Sequence, residues 1–478
     1  MPEMRDYVKQ TFLQHLYAID TERQKRYKTY REYYDGDHAT QLTKRQRRTL
    51  EVKGDERFRD NYCPLVVDAM SERLHVTGFT VGESSREVDD VNDSAVQLWD
   101  WWQANRMDAR SGDAHLAAVR DGDAFVLVSW DEEKQMPKYN VELAYDGSDG
   151  VKIHYSDEDR GVVLFASKRW VVSNIDDPDT GNKRRLNLYY PDEIQKFVSN
   201  DKVSTGNWEK YTDEDDPRWP IPWTETGLES GEPLGVPMIH FKYKGGGHSF
   251  GKSRLRDVIS LQNDLNRCAL DISTASEYEG FGLLYAIGDK WGAINVNPGT
   301  VLKSERPANE VDIGRVPAGD LSALLAHKDS LIYDIARVSN TPLSNFQLSG
   351  QLAAEGTLKQ QESGLVADVT TTQLSFGNSW EDVQAMARKL FNVFGTGGMN
   401  EDDLISTEWS PAAVRDETEL INRLAIMAEK LHIPDVVLWD MAGLDAEQIE
   451  MAKNSDQYQA TQSLRGSAML LNEDNRGG

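Results

Sequence analysis

One segment of this 478-residue chain has residue types and spacing that could do chemistry: GGHSFGKS, Gly246 to Ser253. It satisfies G-x-x-x-x-G-K-[ST], in which loop amides cradle phosphates, Lys252 reaches the β/γ oxygens and Ser253 holds magnesium. A strand-like VPMIHFKY precedes it and a helical pattern follows, so the local context fits a phosphate loop. On that reading Gly246, Gly251, Lys252 and Ser253 bind the nucleotide of an ATPase. The same residues also spell G-x-S-x-G, Gly247 to Gly251, with Ser249 as the nucleophile of a hydrolase. A phosphate cradle and a strained elbow are different backbone shapes, so at least one match is accidental.

Both enzymatic readings lack their other parts. A phosphate-loop enzyme needs an acidic magnesium partner on a later parallel strand. After Ser253, however, the pattern is helical with one small β insert, and the apolar run ending at Asp131 and Glu132 lies upstream. The hydrolase needs a downstream histidine; His327 falls on a helix surface between Leu324 and Leu331, and His432 is the other choice. The nine histidines show no H-x-x-x-H or H-E-x-x-H spacing, so no metal site is expected. The simpler reading makes Gly251 a sharp turn out of a sheet and Ser253 the cap of a helix beginning there. The expectation is a protein without catalysis or cofactor.

The surrounding elements follow from periodicity. Residues 3–34 read as a helix with Tyr27, Tyr30 and Tyr34 at helical spacing, stopped by Asp35-Gly36-Asp37. Helices are predicted from Pro64 to about Leu74 and from about Val91 to Asn105, where Trp99, Trp101 and Trp102 read as core. From Asp123 to Tyr243 short apolar or alternating runs and turn formers predict an antiparallel or mixed sheet inside a helical frame. Three helical stretches follow. Leu261, Leu265, Cys268 and Ile272 stripe the first, with Asp257, Ser260, Asp264, Arg267 and Asp271 on its polar face. Leu321, Leu324, Leu331, Ile335 and Val338 stripe the second. In the third, Thr357 to Phe394, Phe376, Trp380, Val383, Ala387, Leu390 and Phe394 alternate fours and threes, a rod of roughly 55 Å. Short helices follow from about Ser410, and the fold class is α+β.

Charge restricts the partners. There are 79 Asp+Glu against 53 Lys+Arg, a formal net charge of -26, which disfavours tight sequence-specific DNA binding. An acidic wall past which DNA slides stays open, because a like-charged surface repels phosphate. The basic run KRQRR at 44–48 reads as a solvated surface. Two distant cysteines, Cys63 and Cys268, fit a reducing compartment, and no segment reads as membrane-spanning or as a signal peptide.

The order of features resembles the portal proteins of tailed bacteriophages, in the subgroup common among phages of actinobacteria. The resemblance rests on NYCPLVVDAMSERLHVTGF (61–79), WWQANRMD (101–108), RDGDAFVLV (120–128), VPMIHFKYKGGG with GKSRLRDVISLQNDLNR (236–267), ARVSNTPLSNF (336–346), and STEWSPAAVRDETELINRLAIMAEKLHIPDVVLWDMAG (406–443). It implies a wing (1–250), a two-helix stem (251–278 and 319–339) around a clip (279–318), a tunnel loop (340–356), a long wing helix (357–400) and a helical crown with a tail (401–478). It further implies a ring, usually dodecameric, at a capsid vertex of the virion, assembled in the host cytoplasm. Double-stranded DNA would pass its channel, and terminase large subunit, major capsid or scaffold protein and head-completion adaptors would dock on it. Asn345, Gln347, Ser349, Gly350 and Gln351 would face the channel, where the absence of Lys or Arg between Asn340 and Leu358 leaves phosphate no sticking point.

Overall fold

The computed structural model describes residues 11–39, 44, 60–82, 93–145, 150–172, 183–199, 208–213, 216–281, 284–288, 307, 310, 312–315, 321–346, 355–413, 417–431, 433–443, 451–453, 455 and 458. Two compact units divide between Ala412 and Ala413.

Helices α1 (Thr11–Tyr34), α2 (Cys63–Ser71) and α3 (Asp93–Ala104) lie where periodicity puts them. Helix α4 (Met107–Asp121) follows α3 after a one-residue left-handed break at Arg106 and was not predicted. Asn105 holds that break: its amide donates to Trp101 O at 2.8 Å and to Pro137 O at 2.9 Å. The α4 helix ends at Gly122, φ +102°, in the left-handed conformation that glycine adopts at a helix C-terminus.

The predicted sheet region forms two sheets, and all its pairings are antiparallel. Strand β2 (Asp123–Asp131) lies between β3 (Met136–Leu143) and β10 (Met238–Lys242). A second sheet runs β4 (Gly150–Tyr155), β5 (Val163–Val172), β6 (Lys183–Tyr189), β7 (Glu193–Ser199) and β8 (Glu209–Lys210), with β9 (Ile221–Pro222) also on β7. Side chains alternate across β2. Ala124, Val126 and Val128 enter the main core, while Phe125 and Leu127 enter a second core with Tyr27, Ile153 and Met238. With both faces covered, β2 reads as an unbroken apolar run.

Helices α5 (Ile259–Phe281) and α6 (Ser322–Val338) pack on each other, and the hairpin of β11 (Leu284–Ile287) and β12 (Asp312–Arg315) lies between them in sequence. Helix α7 (Glu355–Phe394) is 40 residues long, and Phe376, Trp380, Val383, Ala387 and Leu390 are fully buried as its stripe predicts. Phe394 and Val338, the last residues of their stripes, are exposed instead, because each ends its helix. Trp101 and Trp102 are buried, and Trp102 meets Trp380 edge-on at 4.8 Å. Beyond α7, β13 (Ile405–Trp409) pairs with β1 (Val76–Val81). The second unit contains α8 (Glu417–Leu431) and α9 (Asp435–Ala442).

His115 sits at the centre of the main core. Its Nδ1 lies 2.9 Å from Leu74 O, and Trp380 Nε1 donates to its Nε2 at 2.9 Å, which fixes the neutral tautomer with the proton on Nδ1. Burial pushes its pKa down to about 3. His154 is likewise pushed down to about 3, mainly by burial. Each takes up a proton near pH ~6.5 only when unfolded, so stability is lost as pH falls below that value. The urea midpoint is therefore expected to be lower at about pH 5.5 than at about pH 7.5. Imidazole NMR signals of His115 and His154 that titrate near pH ~6.5 in the folded protein would contradict the buried neutral imidazoles.

Candidate functional site

The glycine segment turns out of β10 and runs directly across the C-terminal end of α4. Tyr243 N donates to Gly122 O at 2.9 Å, Lys252 N to Tyr243 O at 2.8 Å and Arg254 N to Val119 O at 3.0 Å. The Ser253 hydroxyl donates to Arg120 O. The orphan carbonyls of α4 are thus satisfied by the segment that matches the phosphate-loop pattern. A helix C-terminus carries partial negative charge, the wrong sign for a phosphate cradle.

The loop amides confirm this polarity. Gly251 N donates to Asp123 Oδ1 at 2.7 Å, so a carboxylate of the chain itself occupies the place of a phosphate oxygen. A Cβ on Gly251 would stand 2.0 Å from Gly122 O and 2.7 Å from Tyr243 O, so glycine is required for close backbone approach. The preceding β10 is antiparallel to β2, and the next helix, α5, begins only at Ile259. Ser253 therefore does not cap that helix, which corrects the expectation. It caps a short turn instead, accepting from Leu255 N at 3.0 Å, because Ser253 is drawn back onto α4 before the chain becomes helical.

Asp123 belongs to a buried chain of polar groups. It accepts from Tyr27 OH at 2.7 Å and from His240 Nε2 at 2.8 Å, and Tyr155 OH donates to His240 Nδ1 at 2.8 Å. Burial pushes His240 down. Burial alone would raise Asp123, but the His240 bond and charge, the Gly251 amide and the Tyr27 hydroxyl hold it below the usual carboxylate range. The histidine beside this acid is therefore bonded to Tyr155 rather than to Ser249, and His327 is exposed on α6. Among the described residues the G-x-S-x-G reading has no support, and His432 lies outside them.

The residue after the motif, Arg254, is buried and joins four elements. Its Nε donates to Val66 O in α2 at 2.9 Å, Nη1 to Tyr243 OH at 2.9 Å, and Nη2 to Ser339 O at 2.6 Å. Asp368 Oδ2 of α7 lies 3.4 Å from Nη1 and also accepts from Lys244 Nζ at 2.9 Å. The start of the α5 segment and the end of α6 therefore share one guanidinium. Asn340, with φ +51°, and the buried Thr341 then lead into a short 3-10 turn, Leu343–Asn345. Of the expected channel residues, Asn345 is exposed there. Gln347, Ser349, Gly350 and Gln351 lie outside the described residues. No group of His, Cys, Asp and Glu among the described residues could hold a metal ion, and no described helix is long and apolar enough to cross a membrane.

The profile of the family described as phage portal protein, SPP1 Gp6-like, matches residues 13–462. The chain belongs to this portal protein family. The portal protein of Mycobacterium phage L5 is 34% identical to it over 361 residues, which cover 73% of this chain and 67% of that protein. The portal protein of Mycobacterium phage D29 is 21% identical over 364 residues, with the same coverages. A solved structure of the neck of an empty GTA particle, computed with C6 symmetry, aligns over 80% of this chain and 88% of that one, at TM-score 0.40 and 10% identity. The family match and the two mycobacteriophage relatives agree with the resemblance to portal proteins.

Sequence reasoning missed Arg254 because no periodicity marks a buried cation; the one signal was an arginine between Ser253 and Leu255, next to the sharp turn expected at Gly251. Two glycines of the same loop separate the structural from the phosphate-binding reading in this portal protein. Gly251→Ala is expected to destabilise it by about 3 kcal/mol or more. Gly247→Ala, at φ +78° with nothing near its missing Cβ, should cost only about 1–2 kcal/mol of backbone strain. Arg254→Ala, which strips the buried acceptors of their donor, should cost about 3–5 kcal/mol. Urea denaturation of the three variants measures the ranking, and equal losses at Gly247 and Gly251 would refute it.

Proposed function

We propose that this protein is the ring-forming portal at a capsid vertex of the virion, the channel through which double-stranded DNA is packaged and ejected. On this reading α5 and α6 are the stem, the residues around β11 and β12 are the clip, and 340–356 is the tunnel loop. Helix α7 is the long wing helix, and the α8–α9 unit belongs to the crown. Terminase large subunit and later head-completion adaptors dock at the clip, capsid or scaffold protein surrounds the wing, and assembly takes place in the host cytoplasm. ATP hydrolysis belongs to the terminase.

Family membership and one structural observation carry the reading. Two packed helices leave and return to the same buried Arg254, with a β hairpin between them in sequence. On this reading the pair is an arm fixed at its base, the form a subunit needs to contribute one stave to a channel. Leu325, Tyr333 and Val338 of α6 are about half exposed, apolar surface of the kind that a neighbouring subunit covers in a ring. The charge of -26 per chain keeps DNA from adhering to such a channel.

Native mass spectrometry with and without ATP is the test. A closed ring of about twelve chains, indifferent to ATP, is the expected result, and the rings that Lys252→Ala forms are expected to be equally indifferent to ATP. A ring or hexamer that forms only with nucleotide and is lost in Lys252→Ala would instead place an ATPase at Gly246–Ser253.

A further inference from the structure

The glycine turn also forms one wall of an open groove of about 930 Å³. Its charged lining comprises Arg23 and Arg26 of α1, Arg160, Lys252 and Arg256, with His248 alongside. The two carboxylates in the lining are already engaged. Asp121 is fully buried between Arg31 and Arg120, and Asp123 is held by His240, Tyr27 and the Gly251 amide. Arg256 lies 3.9 Å from Asp257, which is outside the lining, so among the described residues the open charge of the groove is the positive charge of Arg23, Arg26, Arg160 and Lys252, on a chain whose net charge is -26.

Several features prepare this lining for an anion. The Arg23 guanidinium stacks on the Phe250 ring, 3.2 Å from its centroid, and its buried Nη1 has no hydrogen-bond partner. Arg160 Nη1 donates to Gly247 O at 3.1 Å, which draws a further guanidinium onto the loop. Arg26 and Arg256 both act on Tyr30, where their charges oppose the upward push of burial on its hydroxyl. Lys252 is exposed and its backbone amide is spent on Tyr243, so only its ammonium is on offer. Planar guanidinium forks match carboxylates two hydrogen bonds at a time.

We infer that this groove is a subunit interface, and that it receives a carboxylate-bearing segment of a second copy of this chain. The inference rests on the ring-forming function proposed above and names the contact that makes the ring. Chains of charge -26 repel one another when packed side by side, so assembly requires local regions of opposite sign. The groove is such a region, and the same chain carries exposed acidic turns, for example Glu132 and Glu133 after β2. A head-to-tail contact of groove and acidic segment is heterologous, which is the geometry that closes a ring. The volume suits an extended peptide, and a recessed guanidinium such as Arg23 is poorly placed for the phosphates of a rigid duplex.

The double charge reversal Arg26→Glu and Lys252→Glu tests this on the full-length protein, because both side chains are exposed. The variant is expected to keep the circular dichroism and urea midpoint of the wild type, while the concentration for half-assembly by sedimentation velocity rises at least about tenfold. Wild-type assembly should weaken as salt is raised. In wild-type rings, zero-length carbodiimide coupling should join Lys252 to an Asp or Glu of the neighbouring subunit, seen by mass spectrometry of mixed isotope-labelled and unlabelled chains. Rings that form normally in the variant, with no inter-subunit coupling at Lys252, would overturn the interface and leave the ring standing. A variant that assembles normally but loses binding of inorganic phosphate or of a short DNA duplex would overturn it in favour of a phosphate ligand. A wild type that forms no ring under any condition removes the ring reading itself, and this inference with it.

Discussion

Arg254 is the constraint on which the first unit depends. Taking a guanidinium out of water costs several kcal/mol unless its donors are met, and only a converging set of acceptors can meet them. Here the acceptors come from α2, the end of β10, the end of α6 and α7, regions far apart in the chain. None of these elements can shift alone without exposing an unpaired charge to the core. The main core then fills the space that this arrangement defines, with Trp102, Trp380 and Phe241 meeting edge to face above the sheet.

The glycine motif illustrates how a local pattern is overruled by its surroundings. Phosphate loops work because free amides and a helix N-terminus converge on an anion. In this chain the Gly251 amide is taken by Asp123, and the segment lies on a helix C-terminus, whose carbonyls need donors. The same segment therefore serves the opposite electrostatic end: the Arg254 backbone N–H and the Ser253 hydroxyl are donors placed at the negative pole of α4. That role was invisible until α4 was known.

The parts of the fold that rest on one-dimensional periodicity could be read directly. The stripe of α7 lies where the fours and threes place it, and the polar face of α5 is turned to solvent at Ser260, Asp264 and Asp271. What could not be read depends on contacts across the chain. Helix α4 has a weak stripe of small residues, Ala114, Ala117 and Ala118, because it is sandwiched and buries several sides at once. Gln262 and Asn266 of α5 are buried too, bonded to the backbone of Asp60 and Tyr62, where a polar residue in a helix would ordinarily be assigned to water. The splitting of the β region into two sheets was equally hidden, since alternating runs specify strands but not their partners. Among the candidate residues, the tight approach at Gly251 followed from residue type, whereas the acceptors that surround Arg254 come from the whole unit.

The pairing of β1 with β13 has a bearing on how the molecule is made. Strand β1 emerges early from the ribosome, yet its hydrogen-bonding edge is completed only when residues 405–409 arrive, after the whole of α7. Until then Phe79 and Val81, buried in the finished protein, have no covering strand. An open strand edge of this kind is a site for mispairing with other nascent chains. The first unit therefore closes late and as a whole, and a truncated product that stops within α7 would be left with an adhesive edge rather than a smaller folded protein.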